Sequence, residues 1–539
     1  MKERALATNN QASQGLQALF KEHAETKKQT VQPDFKAMDK LKRMQDKEET
    51  TPPQTINELH QLLKNVGKQW REDHKETKKK NGQEVEIIHR VPARSIAYML
   101  EKVIKFAVIG DNEKEIENAP LTFYNLDTGL YTKNERLLDR FILAVDDTTN
   151  TRARKDIREW LRIESKSLAI EPNIDLVPVG NGIYNKQTQE LLPFSPKYVF
   201  TSKVSTPYIT ETLSEPNFNG WSFSKWIEEL SNGDENKTTL LWQMIASIIQ
   251  NRRTSNVLFC LIDDGQGRTG KSTFETLLMN LVGKDNYTAL KLEEFDHPFL
   301  LAQAYGASLV IGDDNDPKGF IDNGSTLKSI VTNELVLINP KGQRPFSAKF
   351  YCTIVQSMNG FPRFKDTSNG LYRRFRLIQF NHQYPDTPEG RKVKDEYVKD
   401  QQLLQWILKQ ALKINIDTII NTQESQQAVQ ELQLENDIVL SFVNEIVPNL
   451  ESTRIPISLL FALFRKYADD NNNKNGMTRA TFTRRVKPMM EKQGWEYSKQ
   501  RPAECLKDAD IDQLKATSLY DYNTFRQDDH KAQWCFVKE

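Results

Sequence analysis

Val257-Leu-Phe-Cys-Leu-Ile262 runs into Asp263-Asp-Gly265-Gln-Gly267-Arg268-Thr269-Gly270-Lys271-Ser272-Thr273, after which Phe274, Leu277, Leu278 and Leu281 recur at helical spacing. An apolar run, a glycine loop and an amphipathic stretch in that order read as strand, loop and helix, the setting in which GxxxxGK[ST] cradles phosphate. Gly265 and Gly270 let backbone N–H groups wrap around phosphate oxygens, and Lys271 brings a positive charge to the terminal phosphates. Ser272 offers a hydroxyl to Mg²⁺, and the helix N-terminus attracts the anion. Gly265, Gly267, Arg268, Thr269, Gly270, Lys271, Ser272 and Thr273 together form the candidate nucleotide-binding segment. The pattern alone also describes a Gly-rich turn of an ordinary α/β domain; the strand before it and the helix after it speak against that reading.

The chain around this loop has 539 residues, too many for one ordinary core, which predicts about three domains. Its 74 basic and 73 acidic residues cancel, so nucleic-acid binding cannot be inferred from net charge, and any basic surface is local. Cys260, Cys352, Cys505 and Cys535 lie far apart without a CxxC pair, and the seven histidines are scattered, which excludes a zinc or disulfide framework. A reducing compartment fits. With no apolar run of membrane-spanning length and a charged, non-signal-like start, the expectation is a soluble cytoplasmic protein.

Upstream, roughly the first ninety residues are rich in Lys, Glu and Gln, and Thr51-Pro52-Pro53 divides them into two helical pieces. The run Lys75-Glu-Thr-Lys-Lys-Lys80 reads as a solvated or disordered face, with nucleic-acid contact the lesser reading. Leu121 to Asn125 and Asp127 to Tyr131 read as strands around a turn, and Leu137 to Val145 and Arg154 to Ile163 as helices. Asp175 to Val179, the turn Gly180-Asn-Gly182 and the returning Ile183-Tyr184 open a second small α/β unit. Trp221 to Leu230 and Leu240 to Gln250 form amphipathic helices that deliver the chain to the loop.

Downstream, Leu309-Val-Ile311 ends in Gly312-Asp313-Asp314. Paired acids at a strand end are ordinary in a turn, but beyond a phosphate loop one carboxylate suits Mg²⁺ and another polarises the attacking water. Leu335 to Ile338, a tip containing Lys341, Gly342 and Arg344, and Phe346 to Phe350 read as a β-hairpin with a basic end. Tyr351 to Gln356 is a strand ending at Ser357-Met-Asn359, and Asn359 at that position would orient a hydrolytic water or simply cap the strand. Arg373 and Arg374 precede the strand around Leu377 to Phe380; such arginines are solvated on a monomer but reach a neighbour's γ-phosphate in an oligomeric ATPase. Arg391 to Ile414 is a charged helical region, and the Gln-rich stretch Asn421 to Gln433 reads as a connector. Asp437 to Val447, Ser458 to Tyr467 and Thr478 to Lys487 are helices, the third carrying Arg479, Arg484, Arg485 and Lys487 and stopped by Pro488. With strands at Trp495 to Tyr497 and Gln533 to Val537, this outlines a winged helix that lays its third helix in a DNA groove.

Taken together, these elements resemble the superfamily 3 helicases of phages, plasmids and chromosomal islands, specifically the helicase half of the phage/plasmid primase family and the poxvirus primase-helicase group. The resemblance covers the chain from about Leu121 onward and lies in order and spacing: Gly265 to Phe274 looks like that family's Walker A, and Ser308 to Asp314 like its Walker B. Leu327-Lys328-Ser329 through Lys341 and Phe346 looks like its B′ motif; Ser357-Met-Asn359 through Pro362 and Asn369 to Arg374 look like motif C and its arginine finger. Asn181-Gly182-Ile183 with Pro193-Phe-Ser-Pro196 is similar to the module preceding the motor. Thr269 replaces the common Asn, and Asn333-Glu334 replaces the common Gly-Asp or Gly-Glu at the base of the hairpin. Members of that family with priming activity carry a large polymerase domain ahead of the motor; the roughly ninety charged residues at the start of this chain are too few and too polar for one, so priming is not carried over.

The resemblance implies a multidomain α/β protein: a charged helical N-terminal region (1–95), an α/β module (96–220), an AAA+-like P-loop ATPase core (221–390), a helical connector (391–435) and a C-terminal winged-helix domain (436–539). It implies a hexameric ring using ATP and Mg²⁺. Lys271 would serve the phosphates, Ser272 and Asp313 the metal, Asp313 and Asp314 metal and water, Asn359 the water, and Arg373 or Arg374 the neighbouring subunit's phosphate. Lys341 and Arg344 would track single-stranded DNA, and Arg479, Arg484, Arg485 and Lys487 would contact origin duplex DNA. The leading reading is an ATP-dependent replicative helicase and initiator of a phage or mobile element in a bacterial cytoplasm. Two others remain open here: a helicase subunit working with a separate primase, and an ATP-gated origin-binding or helicase-loading protein that does not unwind DNA.

Overall fold

A computed structural model describes residues 52–80, 83–253, 255–263, 265, 267–316, 319–321, 324–366, 368–471, 476–500, 507 and 532–538. The helical piece expected ahead of Pro52 and the thiol of Cys505 lie outside the described residues. The remaining chain forms two compact units divided at Pro172/Asn173, with Phe194–Thr201 returning to the first.

In the first unit, α1 (Ile56–Asp73) begins at Thr55, whose hydroxyl accepts a hydrogen bond from the Glu58 N–H and so satisfies one of the free amides of the first turn. With α2 (Ala93–Val103), α3 (Glu135–Val145) and α4 (Thr151–Glu164) it encloses one core. Ile56, Leu59 and Leu63 of α1 pack with Ile96 and Leu100 of α2, Phe141 and Val145 of α3, and Ile157 and Leu161 of α4, so a single core crosses residue 95. Strands β1 (Phe106–Ile109), β2 (Leu121–Asn125), β3 (Leu130–Thr132) and β4 (Lys166–Leu168) line up in the order β3-β2-β1-β4. The basic run departs from the helical reading of this region: Glu76–Lys80 pairs antiparallel with Gln83–Ile87. That register sets Lys79 opposite Glu84, where unlike charges favour the pairing.

In the second unit, β5 (Leu176–Val179), β6 (Gly182–Asn185) and β7 (Glu190–Leu192) form a small antiparallel sheet, followed by α5 (Phe223–Leu230) and α6 (Glu235–Ile249). Helix α6 is not amphipathic in its setting: Leu240, Leu241, Met244, Ile245, Ala246, Ile248 and Ile249 are all buried. Its polar Gln243 is buried too, donating to the carbonyls of Asn415 and Thr418 and accepting from Ile420 N–H.

Strand β8 (Leu258–Ile262) leads through the glycine loop into α7 (Lys271–Val282). There follow β9 (Tyr287–Ala289), β10 (Leu309–Asn315), the hairpin strands β11 (Val336–Ile338) and β12 (Phe346–Ala348), β13 (Thr353–Met358) and β14 (Phe375–Gln379). The main sheet runs β9-β10-β13-β8-β14, and every pairing in it is parallel. Side chains alternate between its faces, as the two-residue period of a strand requires. Phe259, Leu261, Leu309, Ile311, Val355 and Ile378 join one core with α6, α7 and α8 (Gln401–Ala411). Leu258, Cys260, Val310, Ile354 and Leu377 join the other with α9 (Gln423–Asn436) and the hairpin. Two covered faces explain the nearly continuous apolar runs. The Gln-rich stretch is therefore more than a connector: Ala428 and Leu432 are in that core, and the Ser425 hydroxyl accepts from Leu377 N–H at 2.9 Å.

The C-terminal part contains α10 (Ile438–Ile446), β15 (Arg454–Pro456), α11 (Ile457–Asp470), α12 (Arg479–Lys492), β16 (Glu496–Gln500) and β17 (Gln533–Val537). The strands form an antiparallel sheet in the order β15-β17-β16. Pro488 does not stop α12, which continues through it to Lys492. Phe482, Val486 and Met490 lie on one buried stripe on both sides of the proline, and their packing offsets the roughly 3 kcal/mol that an interior proline costs. No helix among the described residues is long and apolar enough to cross a membrane.

Candidate phosphate-binding site

At the carboxyl end of β8 the chain turns through Gly265, Gly267, Arg268 and Gly270 with φ of 80°, 73°, 55° and 87°. A Cβ built on Gly265 or Gly267 would meet nothing within 4 Å, so the left-handed backbone rather than crowding calls for glycine, and the space against these residues is open. Arg268 adopts the same conformation, and its guanidinium pairs with Asp386 at 3.0 Å. Gly270 caps α7, whose free first-turn N–H groups favour an anion.

Lys271 is buried, and its ammonium donates to Asn359 Oδ1 at 2.7 Å and to the Met358 carbonyl at 3.1 Å, with Asp263 Oδ1 at 3.2 Å. The contact follows from topology. Strand β13 pairs directly with β8, Leu261 opposite Ser357 and Ile262 opposite Met358, so the residue after β13 sits beside the loop after β8. Sequence reasoning missed Asp263. Its carboxylate also accepts from the Thr269 hydroxyl at 3.0 Å and Gly265 N–H at 3.2 Å, so Thr269 holds the loop in the place where Asn is common in the resembled family.

Strand β10 lies on the far side of β13. A register shift between Gly312 and Asn315 and a φ of 49° at Asp314 interrupt the pairing near the end of β10 and leave Asp313 and Asp314 exposed. Asp313 Oδ1 accepts from the Ser357 hydroxyl at 2.9 Å, linking it to the strand that ends in Asn359. Glu275, one turn beyond Lys271 on α7, is buried and also faces this group. Burial first, then the charge of Asp313, pushes its carboxyl up to about 8, against the opposing pull of Ser357 and Lys271. Its Oε1 has no hydrogen-bond partner. Sequence reasoning missed Glu275 as well; nothing in a helical Glu signals a carboxyl turned inward. The exposed Ser272 hydroxyl accepts from Lys394 Nζ at 3.1 Å, and Thr273 is half-buried beside it.

These residues fit Mg²⁺ and a nucleotide triphosphate. Among the described residues no group of three or more His, Cys, Asp or Glu gathers as a metal cage. Mg²⁺ is held by one or two protein oxygens together with water and phosphate. Ser272 and Asp313 would hold the metal, and the open glycine loop, with Lys271, would hold the phosphates.

Arg373 and Arg374 stand elsewhere. The parallel register places Leu258 opposite Phe375 and Ile262 opposite Gln379, so the arginines precede one end of this strand pair and the loop follows the other. About five residues of strand, roughly 16 Å, separate them. Arg373 is exposed. The Arg374 guanidinium binds the Gly370 carbonyl, and burial, then the charge of Arg373, lowers its pKa.

The basic hairpin forms as β11 and β12, with Val336 opposite Ala348. Its tip turns at Pro340 to Gln343, closed by Gln343 N–H to Pro340 O at 3.2 Å, with Gly342 at φ 76° and Lys341 and Arg344 exposed. At its base Asn333 has φ 57°, so it supplies the left-handed step that glycine provides in the common version of the motif. Glu334 closes that turn, accepting from the hydroxyls of Ser329 at 3.2 Å and Thr332 at 3.0 Å.

On α12, Arg479, Arg484 and Lys487 are exposed, whereas Arg485 is half-buried and paired with Asp437 at 2.7 Å. The helix thus presents basic side chains to solvent, but Arg485 anchors α12 to the start of α10.

The parallel sheet with a glycine loop and polar residues at its carboxyl ends belongs to the α/β folds that place ligands at that edge. Three stretches of the chain match family models: residues 42–243 one described as D5 N terminal like, residues 434–516 one described as Poxvirus D5 protein-like, and residues 264–374 a family of unknown function, DUF5906. The chain is thus D5-like on both sides of the loop-bearing core. Apo structures of the NrS-1 C-terminal region align with it at 13% identity and a TM-score of 0.45, covering 82% of this chain and 98% of that one. A second such structure, of residues 305–718, gives 14%, 0.44, 84% and 100%. With TM-scores below 0.5, the fold rests on the strand order itself.

Proposed function

We propose that the chain is an ATP-driven DNA helicase and replication initiator that works as a ring, hexameric by family resemblance, with ATP held between subunits. The observation that carries this reading is the convergence of Lys271, Asn359 and Asp263 beside the glycine loop, with Asp313 tied in through Ser357. The D5-like segments support a role in DNA replication.

In this reading Lys271 turns from Asn359 to the phosphates, which frees the Asn359 amide to orient the attacking water. Asp313 and Asp314 polarise that water. Bound Mg²⁺ neutralises charge on the phosphate oxygens. Arg373 or Arg374, too far along the sheet to serve the loop of its own chain, would complete the site of the adjacent subunit. Lys341 and Arg344 would draw single-stranded DNA by its phosphates, and the three helices and sheet around α12 would act as a winged helix on the origin.

The test is strand displacement by the full chain on a forked DNA with Mg²⁺ and ATP. Displacement that requires ATP is the expected result. ATP hydrolysis stimulated by single strands without displacement at any salt concentration would favour the gating or loading role instead.

A further inference from the structure

The segment after β14 is fastened over the glycine loop at three points. Tyr384 N–H donates to the Arg268 carbonyl at 3.0 Å, Asp386 pairs with the Arg268 guanidinium at 3.0 Å, and Lys394 Nζ donates to Ser272 Oγ at 3.1 Å. Lys394 lies in the last turn of the helix Pro388–Asp395, whose start is capped by the Thr387 hydroxyl accepting from Gly390 N–H at 3.1 Å. Arg391 of that helix pairs with Asp386 at 3.0 Å, tying helix and turn together. Neighbouring Lys392 is neutralised by Glu389 at 3.3 Å, whereas Lys394 contacts a neutral hydroxyl.

That hydroxyl is the group that would face Mg²⁺. An ammonium and a divalent cation drawn to the same oxygen repel each other at close range, which drives Lys394 off Ser272 when the metal arrives. Its helix remains held by Asp386 and Arg268, which keeps the ammonium beside the loop. The nearest new negative charge is then the terminal phosphate of the nucleotide, for which an ammonium is a suitable point-charge partner.

We infer that Lys394 is a phosphate-binding residue acting in cis, gripping the terminal phosphate of ATP, so that the segment from Tyr384 to Lys394 is a clasp that holds ATP more tightly than ADP, which lacks that phosphate. This rests on the reading of the loop as an ATP site, and it adds a cation from the same chain to the one proposed from the neighbouring subunit.

The test is equilibrium titration of the full chain with fluorescent Mg·ATPγS and Mg·ADP, using wild type, Lys394→Ala and Lys394→Arg. Loss of one charge-assisted hydrogen bond predicts that Lys394→Ala weakens ATPγS binding roughly tenfold and ADP binding by less than about twofold, with Lys394→Arg recovering most of the loss. Unchanged ATPγS binding, or equal weakening of both nucleotides, would overturn the inference, the second because a lysine that only props Ser272 does not distinguish them. Wild-type protein that binds neither nucleotide would overturn the ATP-site reading itself, and the clasp with it.

Discussion

The ammonium of Lys271 and the amide oxygen of Asn359 meet at 2.7 Å across two neighbouring parallel strands. The loop lysine is thus held by the residue proposed to position water. The two substitutions should separate binding from chemistry. Lys271→Ala is expected to lose nucleotide binding and hydrolysis while DNA binding through the C-terminal part persists in a gel-shift assay. Asn359→Ala is expected to bind nucleotide within a few-fold of wild type but to lose about a hundredfold in kcat, the scale of removing one oriented polar group. Equal loss of binding in both variants would contradict separate roles.

Glu275 predicts a pH dependence of stability in the nucleotide-free protein. Its carboxyl is raised from 4.5 to about 8, so the folded chain holds a proton that the unfolded chain releases across that window. The contribution to stability is complete below 4.5 and is lost as pH rises through about 8. Glu275→Gln, which mimics the neutral acid, should match wild type at low pH and exceed it at pH ~9 by up to a few kcal/mol in chemical denaturation. A stability difference that stays constant with pH would show that Glu275 does not titrate in this way.

Lys341 stands exposed at the second position of the hairpin turn, well separated from the glycine loop in sequence. Lys341→Ala is expected to leave nucleotide binding intact and to abolish strand displacement. Normal unwinding by this variant would remove the hairpin from the DNA path.

Of the two arginines, Arg373 is exposed and Arg374 is engaged with the Gly370 carbonyl. Arg373→Ala should therefore abolish hydrolysis without changing thermal stability, and Arg374→Ala should destabilise the fold by about 1 kcal/mol. Mixing Arg373→Ala subunits with Lys271→Ala subunits should restore part of the hydrolysis, because each supplies what the other lacks. No recovery in the mixture would argue against action in trans.

The loop, its strand and helix, the hairpin and the strand ending at Asn359 were legible because each is written in local spacing: an apolar run, a glycine pattern, a period of two or of 3.6 residues. Asp263, Glu275 and Lys394 were not, because their significance lies in contacts rather than in residue type. An Asp in a loop, a Glu on a helix and a Lys on a short charged helix are ordinary until the fold brings them to Thr269, Asp313 and Ser272. Pro488 and α6 misled for a related reason, since packing on one buried stripe carries α12 through its proline and packing around the second half of α6 buries its polar Gln243 and Ser247. Asn333 shows the converse: a residue that departs from a familiar motif keeps the left-handed backbone the motif needs.

The most direct measurement is steady-state ATP hydrolysis by the purified full chain, with and without single-stranded DNA, for wild type and Lys271→Ala. An ATP-driven DNA motor predicts Mg²⁺-dependent turnover that rises with single-stranded DNA and vanishes in Lys271→Ala. Absence of turnover in wild type under both conditions, or turnover that survives the loss of Lys271, would contradict it.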